Sequence, residues 1–145
     1  YRHSVYRRSV NPSHPEAMTR STKSAGARPD PKGFLPLKPD VFLILTLLAA
    51  GARHGYGIMQ AAREWTGGGM EIQAGALYRR LKWMMEEGFI LEVVDGSGEG
   101  GAEDRRRTYS VTSFGRLVAV EESRRMGELL AAAREADLVP GTGGA

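Results

Sequence analysis

The run Val41–Ala50 (VFLILTLLAA) is apolar on every side except at Thr46. A helix of that composition has no face to show to water and must be covered from several directions. About twenty such residues are needed to cross a bilayer, so a run half that long belongs in a core. Asp40 is placed to cap its start and Gly51 its end. In a chain of 145 residues, one domain of ordinary size, a second subunit can supply part of the cover.

The flanking sequence arranges itself around that helix. After the break Ala52–His54, Gly55-Tyr56-Gly57 opens a second helix to about Trp65, with Ile58, Ala62 and Trp65 on one apolar face. Thr66-Gly67-Gly68-Gly69 stops it. A third helix is predicted over about Ala74–Glu87, its buried stripe formed by Leu77, Leu81, Met84 and Met85 and its end capped by Gly88. Phe89–Val94 is rich in strand formers, Asp95–Asp104 is an acidic Gly-rich loop, and Arg105–Thr112 alternates with Arg107, Tyr109 and Val111 on one face. Thr112 or Ser113 caps a last helix to about Leu138, with Glu121 and Arg125 at the favourable i, i+4 spacing. Residues 139–145 read as a frayed end. Three helices followed by a hairpin give the expected fold: mainly α with a small β-hairpin, a winged helix-turn-helix over residues 38–112, then a C-terminal dimerisation helix over 113–138.

Composition narrows the function. Cysteine is absent and histidine is confined to His3, His14 and His54, so no metal or cofactor is expected. His54 has no nucleophile beside it and reads as a turn residue capping the second helix. Glu86-Glu87 and Glu121-Glu122 read as solvated helix faces, and Gly67–Gly69 lacks the Lys-Ser/Thr of a phosphate loop. An enzyme is not expected.

Charge is unevenly placed: residues 1–40 hold eight Lys/Arg and three Asp/Glu, whereas residues 41–145 hold twelve and fourteen. Residues 1–37 lack any apolar period and read as a disordered basic tail. Met18 is the first methionine, and on one reading Tyr1–Ala17 is an upstream or non-native extension. No secretory apolar segment precedes the domain, and neither a membrane nor an exported location is expected; the location expected is cytoplasmic. A case for nucleic acid therefore rests on placement of the basic residues, not on the pI near 9.4. With Leu77 and Leu81 inward, Gly75, Arg79, Lys82 and Glu86 fall on the opposite face of the third helix. Gly75 and Ala76, with Ala74 before them, are small enough for close approach to DNA. Gln73 can read adenine, Tyr78 can donate to a phosphate from the flank, and Arg105 and Arg106 sit on the wing. Double-stranded DNA is the expected partner.

Four segments also resemble one family in order and spacing. Leu47–Ile58 (LLAAGARHGYGI) resembles the start of PadR-family transcriptional regulators. Gly75–Leu81 with Glu86–Ile90 is similar to the family's recognition helix and entry into the wing. Arg105–Thr112 and Phe114-Gly115-Arg116 are similar to its second wing strand and the start of its last helix. The resemblance implies a homodimeric DNA-binding regulator, most often a repressor, of the branch with a single C-terminal helix. It places Tyr56, Tyr78 and Arg79 where the family contacts or supports DNA, and Arg105 and Arg106 on the wing. Gln73-Ala74 stands where the family commonly has Ser/Thr-Pro, and the wing loop is unusually Gly-rich and acidic.

Dimerisation is also suggested by pattern alone: Phe114, Leu117, Val118, Met126, Leu129 and Leu130 on the last helix, and Phe42 and Leu45 on the apolar one, need a partner surface. A candidate effector pocket at that interface, lined by Trp65 and Trp83 with Phe42 and Phe114, would take a planar aromatic molecule. The alternative function is a winged-helix protein-interaction module whose DNA binding is non-specific and due to the tail.

Overall fold

The computed structural model describes residues 29–94 and 107–141. A 3-10 turn (Pro31–Phe34) leads into α1 (Pro39–Ala50), β1 (Arg53–His54), α2 (Gly55–Trp65) and α3 (Ala74–Glu86). The hairpin strands β2 (Ile90–Val94) and β3 (Arg107–Val111) and the long α4 (Ser113–Glu135) follow. The expected tail up to residue 28, the wing loop with Arg105 and Arg106, and the end from residue 142 lie outside the described residues. No helix among the described residues is long and apolar enough to cross a membrane.

α1 is deeply buried on one broad face, while Phe42, Leu43 and Thr46 on the other side are half-buried. Val41, Ile44, Leu45, Leu47 and Leu48 are buried, against α2, α4 and β3. Thr46 is tolerated there because its hydroxyl donates to the Phe42 carbonyl at 2.8 Å, one turn back. The helix begins one residue before the expected cap: Lys38 is the N-cap and Pro39 the first residue, a position where the missing proline N–H costs nothing. Asp40 lies inside the first turn instead, accepting from the Val41 N–H at 2.9 Å. At the other end Arg53 Nε donates to the Leu47 carbonyl and Arg116 Nη2 to that of Ala49, cations where the helix end is negative.

The sheet has three antiparallel strands in the order β1-β3-β2, not two. Arg53 pairs with Tyr109 and His54 with Thr108, so the expected break before α2 is a strand too short to show a period. His54 is the N-cap residue of α2, as expected, but its side chain makes no capping bond; its Nδ1 lies 3.2 Å from the Thr108 hydroxyl. In α2, Ile58, Ala61 and Ala62 are buried, but Trp65 is 52% exposed and departs from the expected apolar face.

Two glycines set the path from α3 to α4. Gly88, at φ 80°, ends α3, with the Phe89 N–H bonded to the Met84 carbonyl and the Gly88 N–H to that of Met85. These are the two bonds of a Schellman cap, which needs a left-handed residue. Phe89 then enters the core, and its carbonyl accepts the Thr112 N–H at 2.9 Å. Thr112 caps α4 by accepting from the Gly115 N–H, also at 2.9 Å. Gly115 lies so close to the Phe89 backbone that a side chain there would collide with it.

The segment before α1 departs from the expected disorder up to Leu37. Phe34 stacks edge-on against Phe89 and Phe114, with ring centroids 5.0 and 5.8 Å away, and Leu37 is buried. Aromatic burial and one ionic anchor outweigh the ordering entropy of this short strap. The anchor is Glu122, expected on a solvated face but only 1% exposed. It accepts from the Leu37 N–H at 2.6 Å and from Arg125 Nε at 2.5 Å. The acidic residues of α4 pair at i, i+3, Glu121 with Arg124 and Glu122 with Arg125, and not at the expected Glu121–Arg125 spacing. A carboxylate covered by the strap draws the nearest guanidinium to itself.

Hydrogen bonds from Arg125 first, opposed by burial and assisted by the Leu37 N–H, hold the Glu122 carboxyl below its ordinary value of 4.5. A lowered carboxyl stabilises the fold above its unfolded-state pKa, and that contribution is lost as pH falls through the lower folded value. Urea unfolding is therefore expected to show wild-type stability declining below pH 4.5, and Glu122→Ala losing about 1–3 kcal/mol at pH 7 with a flatter acid limb. In the same assay Gly115→Ala is expected to cost about 1–3 kcal/mol. Gly127→Ala, also on α4 but facing open space, is expected to gain roughly 0.5–1 kcal/mol.

Candidate nucleic-acid interface

α3 presents four different sides. Leu77, Leu81 and Met84 are buried, which turns Gly75, Arg79, Lys82 and Glu86 outward, all exposed as their spacing predicts. Gln73 is the N-cap, but its side chain makes no capping bond, and no acidic residue lies in the first turn. The first N–H groups of α3 thus keep their positive end without a side-chain cap, and Glu71, which precedes the helix, is paired with Arg63. Ala74 and Gly75 are exposed and Ala76 is half-buried, so nothing bulky shields that end.

Lys82 and Glu86 lie 3.6 Å apart as an i, i+4 pair, with side chains 77% and 60% exposed. Such an exposed pair is worth at most about 1 kcal/mol. Arg79 forms no ion pair among the described residues, and its Nη1 lies over Gly75.

Tyr78 lies on one flank of α3 and is half exposed. Its hydroxyl end rests on Gly55, where any side chain would meet it. This gives Gly55 its role: it lets the start of α2 sit against the tyrosine. Below, Tyr109 is buried at the base of the wing, opposite Glu92 in register. Burial, and then the Glu92 charge, push the Tyr109 phenol up, so it stays neutral at ordinary pH. One Glu92 oxygen has no hydrogen-bond partner but lies 3.6 Å from Arg107 Nη1. Arg107 is thus committed to the wing base, while Arg105 and Arg106 lie outside the described residues.

Tyr56 is 71% exposed and borders a shallow cleft of about 270 Å³ shared with Gln60, Arg63, Glu71, Gln73 and Ala74. The sequence reading missed Gln60 and Arg63. They follow Tyr56 at +4 and +7, one face of α2, and that spacing was the signal available. Arg63 is held at 3.3 Å from Glu71. Tyr56, Gln73 and Ala74 are therefore brought together at one end of α3, with Arg79 one turn further along.

The residues expected in dimerisation divide. Leu117, Leu129 and Leu130 are 49%, 57% and 43% exposed on α4, and Phe42, Phe114 and Met126 are half-buried. Leu45 and Val118 are fully buried within the protomer and belong to its core, because the neighbouring elements already cover them. The two tryptophans sit in different surroundings: Trp65 lies over the Arg53 guanidinium at 5.8 Å, whereas Trp83 packs edge-on against Phe89 at 5.4 Å. Within the protomer they do not form a common pocket wall.

The model of the transcriptional regulator PadR-like family matches residues 44–121. No curated protein matches the sequence. Among solved structures, a PadR family regulator from Clostridium difficile is 21% identical with a TM-score of 0.57, covering 68% of this chain and 97% of that one. A transcriptional regulator from Thermoplasma acidophilum is 26% identical with a TM-score of 0.54, covering 68% and 88%. Bacillus subtilis PadR, solved with operator DNA, is 26% identical with a TM-score of 0.50, covering 56% of this chain and 44% of that one. With its three helices, wing and long last helix, and with the family model matching more than half of its length, the chain belongs to the PadR-like family of transcriptional regulators.

Proposed function

We propose that the protein is a sequence-specific DNA-binding repressor acting as a homodimer on a pseudo-palindromic operator. α3 enters the major groove, and the wing lies near the minor groove. One observation carries this reading: the start of α3, Ala74–Ala76, has no side-chain cap and no acidic residue in its first turn, with Tyr56 and Gln73 beside it and Arg79 lying over Gly75. Exposed N–H groups there suit a phosphate, and Arg79 is placed to read guanine bidentately. The likeness to Bacillus subtilis PadR, a protein solved on its operator, supports it. Arg105 and Arg106 are assigned to backbone contacts from the wing.

The homodimer is supported by the exposed Leu117, Val120, Leu129 and Leu130 of α4, too much apolar surface on one helix to leave in water. Pairing two copies there would set two α3 helices on half-sites about one helical turn apart. The acidic excess of residues 41–145 favours the alternative, a protein-interaction module with only tail-driven DNA binding.

Fluorescence anisotropy on the DNA upstream of the protein's own gene, against a scrambled duplex, separates the two. Preference that survives removal of residues 1–28 supports the regulator; weak binding to both duplexes that vanishes with the tail supports the module. Arg79→Ala is expected to cost about 1–3 kcal/mol and to relax preference at one base pair. Arg105→Ala is expected to weaken all sequences alike and to reduce the salt slope by roughly 0.9. In sedimentation, the double variant Leu129→Asp and Leu130→Asp is expected to run as a monomer and to lose operator affinity by more than about tenfold. A variant that stays dimeric would move the interface elsewhere.

A further inference from the structure

Strands β2 and β3 carry two charged residues between them, Glu92 and Arg107. Tyr109 stands opposite Glu92, and Arg107 opposite Val94. Side chains alternate along a strand, so Glu92, Arg107 and Tyr109 all project from one face of the hairpin. It is the inner face, where Ile90 and Tyr109 are buried, and Glu92 and Arg107 are diagonal neighbours on it. The same face meets the flank of α3. Burial, then the charge of Glu92, then that of Tyr78, push the Tyr109 phenol up, so the wing base and Tyr78 share one notch.

The pair is poorly built for stability. Glu92 Oε2 is shut off from water and has no hydrogen-bond donor among the described residues. Arg107 Nη1 stands 3.6 Å away, too far for a hydrogen bond. A carboxylate oxygen in that position loses more hydration than a long ion pair returns. What the geometry does provide is an unequal hold. The Glu92 side chain is set into the wing base at 19% exposure, whereas that of Arg107 stands 63% exposed. The anion is fixed and the cation is free to leave, so Glu92 and a phosphate passing the notch compete for one guanidinium.

We propose that Glu92 is a positioning residue for DNA binding: it draws Arg107 back onto the wing base and so withholds one cation from the DNA backbone. The run Arg105-Arg106-Arg107 would otherwise set three consecutive cations beside the duplex. Each phosphate neutralised tightens binding to every sequence alike. It adds nothing to discrimination, which comes from contacts to the bases, and it holds the protein on DNA of any sequence. The inference rests on the DNA-binding reading above, but not on preference for an operator.

The test is anisotropy of the full chain on the upstream and the scrambled duplex over a range of salt, with urea midpoints to show that each variant is folded. Glu92→Gln is expected to tighten both duplexes by the same factor, about fivefold near ~0.15 M salt, and to steepen the salt slope by roughly 0.9. Arg107→Gln is expected to leave the slope unchanged and both affinities within about twofold of wild type. The double variant is expected to lose the gain of Glu92→Gln. The proposal is overturned if Glu92→Gln binds no tighter. It is overturned as well if the gain persists in the double variant, because the carboxylate then acts by repulsion alone. A slope that becomes shallower by roughly 0.9 in Arg107→Gln would show that Arg107 already serves the backbone. That result overturns the proposal even if Glu92→Gln fails to fold. A wild type that binds both duplexes alike would sink the sequence-specific reading and leave this one standing.

Discussion

α1 buries Val41, Ile44, Leu45, Leu47 and Leu48 on one broad face spanning roughly 160° of the helix, with Phe42, Leu43 and Thr46 half-buried on the other side, and no single neighbour can cover that face. Three elements do so together, α2, α4 and β3, and each is thereby fixed relative to the others. Because burial of each such side chain is worth about 1.5–3 kcal/mol, leaving one face open would cost more than a chain of this size can spare. The arrangement of the reading helix and the wing follows from this requirement: α3 is packed on α2 and β2, which are themselves positioned by α1 directly or through β3.

The joint at Phe89 transmits that order to the last helix. The Gly88 cap turns the chain sharply, Phe89 plugs the core, and its carbonyl receives Thr112 as α4 begins. Gly115 lets the two backbones touch. The wing base and the start of the proposed dimerisation helix are therefore one rigid corner. α4 then returns along the molecule to meet the strap, where buried Glu122 ties Leu37 to Arg125. α3 sits inside this frame with one side in the core, one turned out with Arg79 and Lys82, one on Gly55 and Tyr109, and one against the strap. Function on the outward side depends on that frame being stiff.

Much of this was legible in the residues. The apolar run at α1, the stripe Leu77-Leu81-Met84 and the glycine after α3 are local signals, and they predicted the helices to within a residue or two. The outward placement of Arg79 and Lys82 followed from 100° per residue, and the structure agrees. What escaped were features with no local signature. β1 is two residues long and exists only because β3 lies beside it. The strap carries Pro and Gly that read as disorder, yet Phe34 finds Phe89 and Phe114 far along the chain. Gln60 and Arg63 were within reach of the same helical arithmetic that singled out Tyr56.

By itself, the sequence determined which segments are helical, which side of α3 faces outward, and the family to which the chain belongs, because these depend on residue type and spacing within a few turns. Only the tertiary structure decided which charges are solvated and which are buried. Glu121 and Glu122 are adjacent and chemically identical in their side chains, yet the strap covers one and leaves the other paired at the surface. It also decided that Leu45 and Val118 belong to the core, and that Trp83 faces Phe34 and Arg80 without Trp65. Burial is set by what arrives from distant parts of the chain, and no local pattern records that arrival.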